Sequence, residues 1–141
     1  MHIFSNYIIF ISAVAWIVAV IIKGIYGIKR GTFSVSQTLG SGGMPSVHSA
    51  LVTSATTAIG IKYGIFSDLF AIALIFSMII IYDAINVRFE AGLHARALNS
   101  LKCNKESGKK YEFNESIGHL PSEAFAGSII GIIVAMILMS F

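Results

Sequence analysis

The sequence predicts an all-α integral membrane bundle of about four helices, with its functional loops gathered on one face. Three observations carry that prediction. The chain has 141 residues, of which 55% are hydrophobic and 12% charged, and its mean hydropathy is +0.79. Soluble domains carry about 25% charged residues, so this composition belongs to a bilayer. Apolar runs of spanning length, about 17–25 residues, occupy 7–28, 69–87 and 124–141. Basic residues, finally, crowd into two of the three connections between the apolar segments.

Taken in order, 7–28 carries only Lys23 near its end. It lacks a basic n-region and a small-residue cleavage site, so it reads as a retained anchor and not a signal peptide. Its cations follow the apolar run, which places that end in the cytoplasm. The connection 29–47 is rich in glycine and serine. Segment 48–61 is shorter and carries more Ser and Thr; it reads as a buried helix that crosses the membrane packed among the others, extended by its Pro-Ser start. A tight turn at 62–68 leads into 69–87, uncharged until Asp83. The connection 89–118 is long and charged, with helical character near 91–101, and loops of that length tend to carry function. Segment 124–141 is uncharged throughout.

Counting cations by side orients the bundle. With four spans, Lys29, Arg30, Arg88, Arg96, Lys102, Lys105, Lys109 and Lys110 share one face, against Lys62 on the other. The positive-inside rule makes the crowded face cytoplasmic and puts both termini outside. No transit peptide is present, so the expected location is the bacterial inner membrane. The net charge of +3 is no nucleic-acid signal, because basic residues alternate with Glu and no aromatics interleave with them. Cys103 permits no internal disulfide. His2 and His94 receive no role, and the histidine spacing matches no metal motif. The whole chain, 1–141, reads as one domain.

Polar chemistry interrupts the oily chain at a few points, all at the expected cytoplasmic mouth. Lys23 and Arg30 lie two helical turns apart, able to share a face; each alone is an ordinary snorkelling cation. The stretch 40–48 reads Gly-Ser-Gly-Gly-Met-Pro-Ser-Val-His. Gly42 and Gly43 free the backbone, and Pro45 suits the first turn of a helix. Exposed N–H groups at such a helix start favour an anion. Ser46 can add a hydroxyl donor, and His48 a proton carrier near neutral pH. The plain alternative is a glycine turn capping a helix. Asp83 and Arg88 close the third apolar run, with Arg88 a planar fork for phosphate oxygens and Asp83 its orienting counter-ion or that of Lys23. His119 precedes Glu123 by four residues. A helix starting near Gly118 would stack carboxylate on imidazole, and the carboxylate would sharpen the other ring nitrogen as a nucleophile. A carboxylate entering a membrane helix is costly enough to favour a functional reading.

In order along the chain, Lys23-x6-Arg30, Pro45-Ser-Val-His48 and His119-x3-Glu123 resemble the three signatures of the type 2 phosphatidic acid phosphatase and vanadium haloperoxidase superfamily. Gly-Gly-Met-Pro-Ser-Val-His-Ser-Ala and Tyr-Asp-Ala-Ile-Asn-Val-Arg look like its divergent bacterial and plastid branch. The resemblance implies an acid phosphatase-like domain working through a phosphohistidine, with no cofactor. On that pattern His119 attacks phosphorus, Glu123 orients it, and His48 protonates the leaving oxygen. Lys23, Arg30, Ser46 and the amides of Gly42 and Gly43 would hold the phosphoryl oxygens. The sequence departs from the pattern at Gly31 (ordinarily Pro), Val47 (ordinarily Gly), Glu123 (ordinarily Asp) and Phe113, which stands where an arginine is usual. Arg88 is the expected substitute for that arginine. Four spans instead of six leave less wall for a lipid pocket, which a second copy could complete.

The expected activity is therefore metal-independent hydrolysis of a lipid phosphate or pyrophosphate at the membrane. The departures keep open a second reading, a catalytically inactive lipid-phosphate-binding protein with a transport, scaffolding or regulatory role. A third is an assembly subunit whose polar residues only pack helices.

Overall fold

The computed structural model describes residues 6–29, 31, 42–102 and 113–141. Within them the chain forms five helices and no strand. These are α1 (Tyr7–Lys29), α2 (Val47–Tyr63), α3 (Asp68–Ile85), α4 (Val87–Lys102) and α5 (Pro121–Met139). Tyr7–Lys29, the α3–α4 run Asp68–Leu101 and Pro121–Met139 are each long and apolar enough to cross a membrane. At 17 residues, α2 is about 25 Å long, a little under the thickness of the hydrocarbon core, about 30 Å.

Although it is the least apolar of the four bundle helices, α2 is the centre of the molecule. It packs against α1, α3 and α5, and none of its residues from 47 to 60 is exposed. The hydroxyls that make it polar turn inward. Thr56 Oγ1 donates to Val52 O (2.9 Å) and shares a hydrogen bond with Ser77 Oγ (2.7 Å) of α3. Ser77 Oγ in turn donates to Val52 O at 3.2 Å. Such satisfied pairs hold membrane helices together where burial from water supplies no drive.

Small residues set the spacing of the neighbours. On α1, Ile11, Ala15, Ala19 and Lys23 recur every fourth position and are all buried. On α5, Ala124, Gly127, Gly131 and Ala135 form the buried stripe. A Cβ at Gly127 would collide with Ser46 O, and one at Gly131 with Ala50 O and Thr53 Oγ1. The two backbones therefore meet directly, as small-residue spacings allow. Ile11, Ala58 and Ala135 form one packed cluster, and Ala19, Val47 and Ala50 another. Large apolar side chains such as Ile75, Phe76, Ile79, Phe125 and Met136 stay exposed, as a lipid-facing surface requires.

The structure corrects four expected boundaries. Helix α2 begins at Val47 with Ser46 as its N-cap, so Pro45 precedes the helix and does not sit in its first turn. The third apolar run breaks at Asn86, where α3 ends and α4 starts at once. The helix expected at 91–101 thus begins at Val87. Finally, α5 starts at Pro121 and not near Gly118, whose φ of +108° suits a turn that glycine adopts readily.

Candidate functional site

The end of α1, the start of α2, the end of α3 and the start of α5 share one end of the bundle. Two backbone hydrogen bonds lock them together. Ser46 N donates to Glu123 O at 3.0 Å, joining α2 to α5. His119 N donates to Ala84 O at 3.0 Å, joining the approach to α5 to the last turn of α3. The carbonyls of a helix's last turn have no intrahelical partner, so Ala84 is free to take that bond.

His119 lies just before the N-cap of α5 and is 2% exposed. Its Nδ1 sits 3.1 Å from Glu123 Oε2. The same oxygen accepts the N-cap N–H of Leu120 at 3.1 Å, as the N3 residue of a capping box does. Leucine cannot return the bond, so the box is one-sided. The expected pairing of His119 and Glu123 is present, but a capping turn makes it, not one turn of helix. An ionised Glu123 only accepts, so in the neutral tautomer that suits it Nδ1 donates and Nε2 is left with the lone pair. That Nε2 is buried and has no hydrogen-bond partner among the described residues.

His48, half-buried in the first turn of α2, faces this nitrogen's ring. The two ring centroids lie 6.3 Å apart with planes tilted by 60°. His48 is also within electrostatic reach of Arg88, Lys23 and Asp83. Lys23, 6% exposed, extends the small stripe of α1 into the bundle and interacts electrostatically with Glu123. Its aliphatic stem passes beneath Gly43, where an added Cβ would stand 3.5 Å from Lys23 Cε. Gly43 is exposed, with φ +89°.

Arg88 Nε pairs with Asp83 Oδ2 at 2.5 Å across the break at Asn86. Both side chains are partly exposed, at 45% and 36%, so this pair faces the mouth of the site and not its floor. Asp83 is thus the ion-pair partner of Arg88.

Two residues expected to contact phosphate also have structural roles. Ser46 is fully buried, and its hydroxyl accepts Ser49 N (3.3 Å) and Ser49 Oγ (3.1 Å). It caps α2, as serine at an N-cap commonly does. Gly42 is buried against the other loop; a Cβ there would come within 2.6 Å of Ser116 Oγ and 2.7 Å of Ser116 O. Its lack of a side chain lets the two loops meet. Arg30 lies outside the described residues, as do His2 and Cys103.

The approach to His119 was not legible beforehand. Residues 113–118 run back along α4. Asn99 holds Phe113 by both backbone groups (Nδ2 to O, 2.9 Å; N to Oδ1, 3.0 Å) and Glu115 by a third bond of 2.9 Å. Arg96 pairs with Glu115 at 3.3 Å. Further along, a Cβ at Gly92 would meet Ile117 O at 2.8 Å, and Gly118 abuts the backbone at Arg88 and Phe89. The hydrogen bond from Asn99 above all, then that from Arg96, holds the Glu115 carboxyl below its ordinary range, with desolvation opposing. Nothing in local spacing marks Asn99 as the partner of a segment fourteen residues on. No group of three or more His, Cys, Asp and Glu side chains forms a metal-binding cluster among the described residues.

The fold and site thus define a helical membrane protein with two histidines, a buried lysine and an arginine–aspartate pair gathered at one end. Residues 4–134 match the Divergent PAP2 family, and the chain belongs to it. It is 33% identical over 156 aligned positions to the uncharacterized membrane protein YuiD of Bacillus subtilis (strain 168), covering 100% of this chain and 99% of that protein. No solved structure matches the chain.

Proposed function

We propose that this protein is a membrane lipid phosphatase that hydrolyses a lipid phosphate or pyrophosphate through a phosphohistidine. The observation that carries the reading is His119 Nε2, a buried lone pair without a partner among the described residues, on a ring whose other nitrogen faces a carboxylate. An unsatisfied buried polar atom is costly, and an incoming phosphorus would engage this one.

In the proposed reaction Nε2 attacks phosphorus and the bond to the leaving oxygen breaks. His48 supplies that oxygen's proton. Water then attacks the phosphorylated His119, gives a proton to His48, and orthophosphate leaves with both rings restored. Glu123 stabilises the positive charge that His119 acquires. Lys23 and Arg88 offset the charge on the phosphoryl oxygens, since phosphoryl transfer depends mostly on positioning and electrostatics. The cation count supports a site facing the cytoplasm of a bacterial inner membrane, with both termini outside.

A second reading, lipid-phosphate binding without turnover, draws support from Phe113, which stands where an arginine is usual in the resembled signature. The deciding experiment is phosphate release by purified protein from a panel of lipid phosphates and pyrophosphates, with EDTA present and His119→Ala alongside. Release that vanishes in the variant, with acid-labile label trapped on the wild-type chain, supports the phosphatase. Silence from folded wild-type protein on every lipid would leave the binding reading.

A further inference from the structure

His119 lies outside α5, one residue before its N-cap, so helical hydrogen bonds do not hold its backbone. On the α5 side the Glu123 carboxylate holds its ring. On the other side it hangs on its own N–H bond to Ala84 O and on residues 113–118, which lie along α4. How that segment is fixed therefore decides where the ring stands.

Two kinds of contact hold the segment to α4. The first is close backbone approach. A Cβ at Gly92 would come within 2.8 Å of Ile117 O and 2.9 Å of Glu115 O, and one at Gly118 would collide with Phe89 N. Van der Waals contacts of this kind are individually small; they set the spacing of two backbones and leave one free to slide along the other. The second kind fixes the register, and it comes from Asn99. Its amide donates to Phe113 O and to Glu115 Oε1, both at 2.9 Å, and its oxygen accepts Phe113 N at 3.0 Å. An asparagine side chain has two N–H donors and one carbonyl oxygen, so the whole group is engaged. Arg96 adds a longer bond of 3.3 Å to Glu115 from a side chain 70% exposed, and exposed pairs of that kind are worth little.

Little slack separates this anchor from the histidines. From Asn99 back to Arg88 is about 16 Å at the helical rise. Phe113 is bonded at the first point and Gly118 abuts the second, yet the chain between them reaches at most about 18 Å. The segment is close to full extension, so a displacement at Phe113 passes on to Gly118 and His119. Arg88 does not share this dependence, because Asp83 of α3 pairs with it.

We propose that Asn99 is a positioning residue for His119. It fixes the register of 113–118 on α4, and through that segment the place of the imidazole relative to His48. The kinetic consequence rests on the proposed phosphatase; the placement of the ring does not.

The test uses the full chain in nanodiscs and has two arms. Diethylpyrocarbonate modification, mapped by mass spectrometry, reads how well His119 is held, with exposed His94 as internal standard. Asn99→Ala should raise the His119 rate about tenfold, the effect of losing one or two net hydrogen bonds on a local opening. Arg96→Ala should change it little. Asn99→Asp sets two carboxylates together and should also free the ring; adding Glu115→Gln exchanges donor and acceptor and should restore protection. Gly131→Ala, destabilised elsewhere in the bundle, is the control for a merely structural loss and should leave the His119 rate near wild type. Unchanged His119 reactivity in Asn99→Ala, an equal rise in Gly131→Ala, or no recovery in the double variant would overturn the proposal.

Kinetics supply the second arm. Asn99→Ala should lower kcat about 10²-fold, the effect of a misplacement near 1 Å that originates away from the chemistry. KM for a lipid phosphate should stay near wild type, because Lys23 and Arg88 keep their places, and the Asn99→Asp, Glu115→Gln pair should recover kcat. Wild-type turnover that Asn99→Ala leaves unchanged would overturn the anchor and leave the phosphatase standing. Faster His119 modification in Asn99→Ala, in a protein that hydrolyses no lipid phosphate, would retire the phosphatase and leave the anchor intact.

Discussion

One oxygen of Glu123 lies 3.1 Å from both His119 Nδ1 and Leu120 N, so the group that orients the imidazole also caps the helix that carries it. Orientation of the ring is thereby built into the start of α5. The carbonyl of Glu123 adds a third tie by accepting Ser46 N at 3.0 Å, which fixes the start of α2, and with it His48, relative to His119.

This dual role predicts a separable outcome for Glu123→Gln. A glutamine oxygen still accepts the Leu120 N–H, because Gln serves at N3 of a capping box. It offers no charge to an imidazolium or phosphoimidazolium. On the proposed reaction, phosphate release should fall by about 10²–10⁴-fold, the usual contribution of a positioned acid–base partner, while the thermal unfolding midpoint stays near wild type. Glu123→Ala should lose both activity and midpoint. Steady-state phosphate assays paired with unfolding in detergent check the two together.

A second prediction concerns the α2–α5 contact. A side chain at Gly131 would strike the Ala50 carbonyl, which cannot move without shifting α2. Gly131→Ala should destabilise by roughly 1–3 kcal/mol, the cost of overpacking a tight contact. Phe125, 68% exposed on the same helix, should accept leucine with a change within about 0.5 kcal/mol. Denaturation in mixed micelles measures both, and a neutral Gly131→Ala would mean that the helices are not in backbone contact.

Much of this arrangement was legible in the chain. Apolar run length and charge placed the spans, and the motifs placed Lys23, His48, Asp83, Arg88, His119 and Glu123 at one end. Lys23 continues the Ile11–Ala15–Ala19 spacing, so its inward aim was written in the helix itself. What escaped detection depends on distant groups. The motif does not choose between a ligand donor and a helix cap at Ser46, whose hydroxyl accepts from Ser49, and Gly42 packs against Ser116, seventy-four residues away. The Asn99 clamp depends on a side chain meeting a loop, which no local pattern encodes.

The clamp supplies a titration that can be checked. Glu115 is exposed, and hydrogen bonds from Asn99 first and Arg96 next favour its ionised form. Its folded pKa lies below the unfolded value, so its contribution to holding 113–118 is complete above the ordinary 4.5 and fades as pH falls through the lower folded value. A carboxyl-detected NMR titration should give a Glu115 midpoint below that ordinary value. Asn99→Ala should raise it more than Arg96→Ala does. The reverse order would place the ion pair, and not the amide, in control of the segment.

The last prediction concerns the arginine that position 113 lacks. Asn99 holds Phe113 by its backbone, eleven residues along α4 from Arg88, or about 16 Å at the helical rise. Position 113 is thus remote from the site, whereas Arg88 is within electrostatic reach of His48 with its Nε paired to Asp83. Arg88→Ala should raise KM for a lipid phosphate by about 10–100-fold, as loss of a charged hydrogen-bond donor of roughly 1.5–3 kcal/mol implies. Arg88→Lys should recover only part, because a point charge cannot reproduce the planar fork. Phe113→Arg added to Arg88→Ala should restore nothing. If it restored activity, the 113–118 segment would have to leave Asn99 in the active state of the proposed phosphatase and carry position 113 toward His48, and Arg88 would not be the phosphate ligand that replaces the missing arginine.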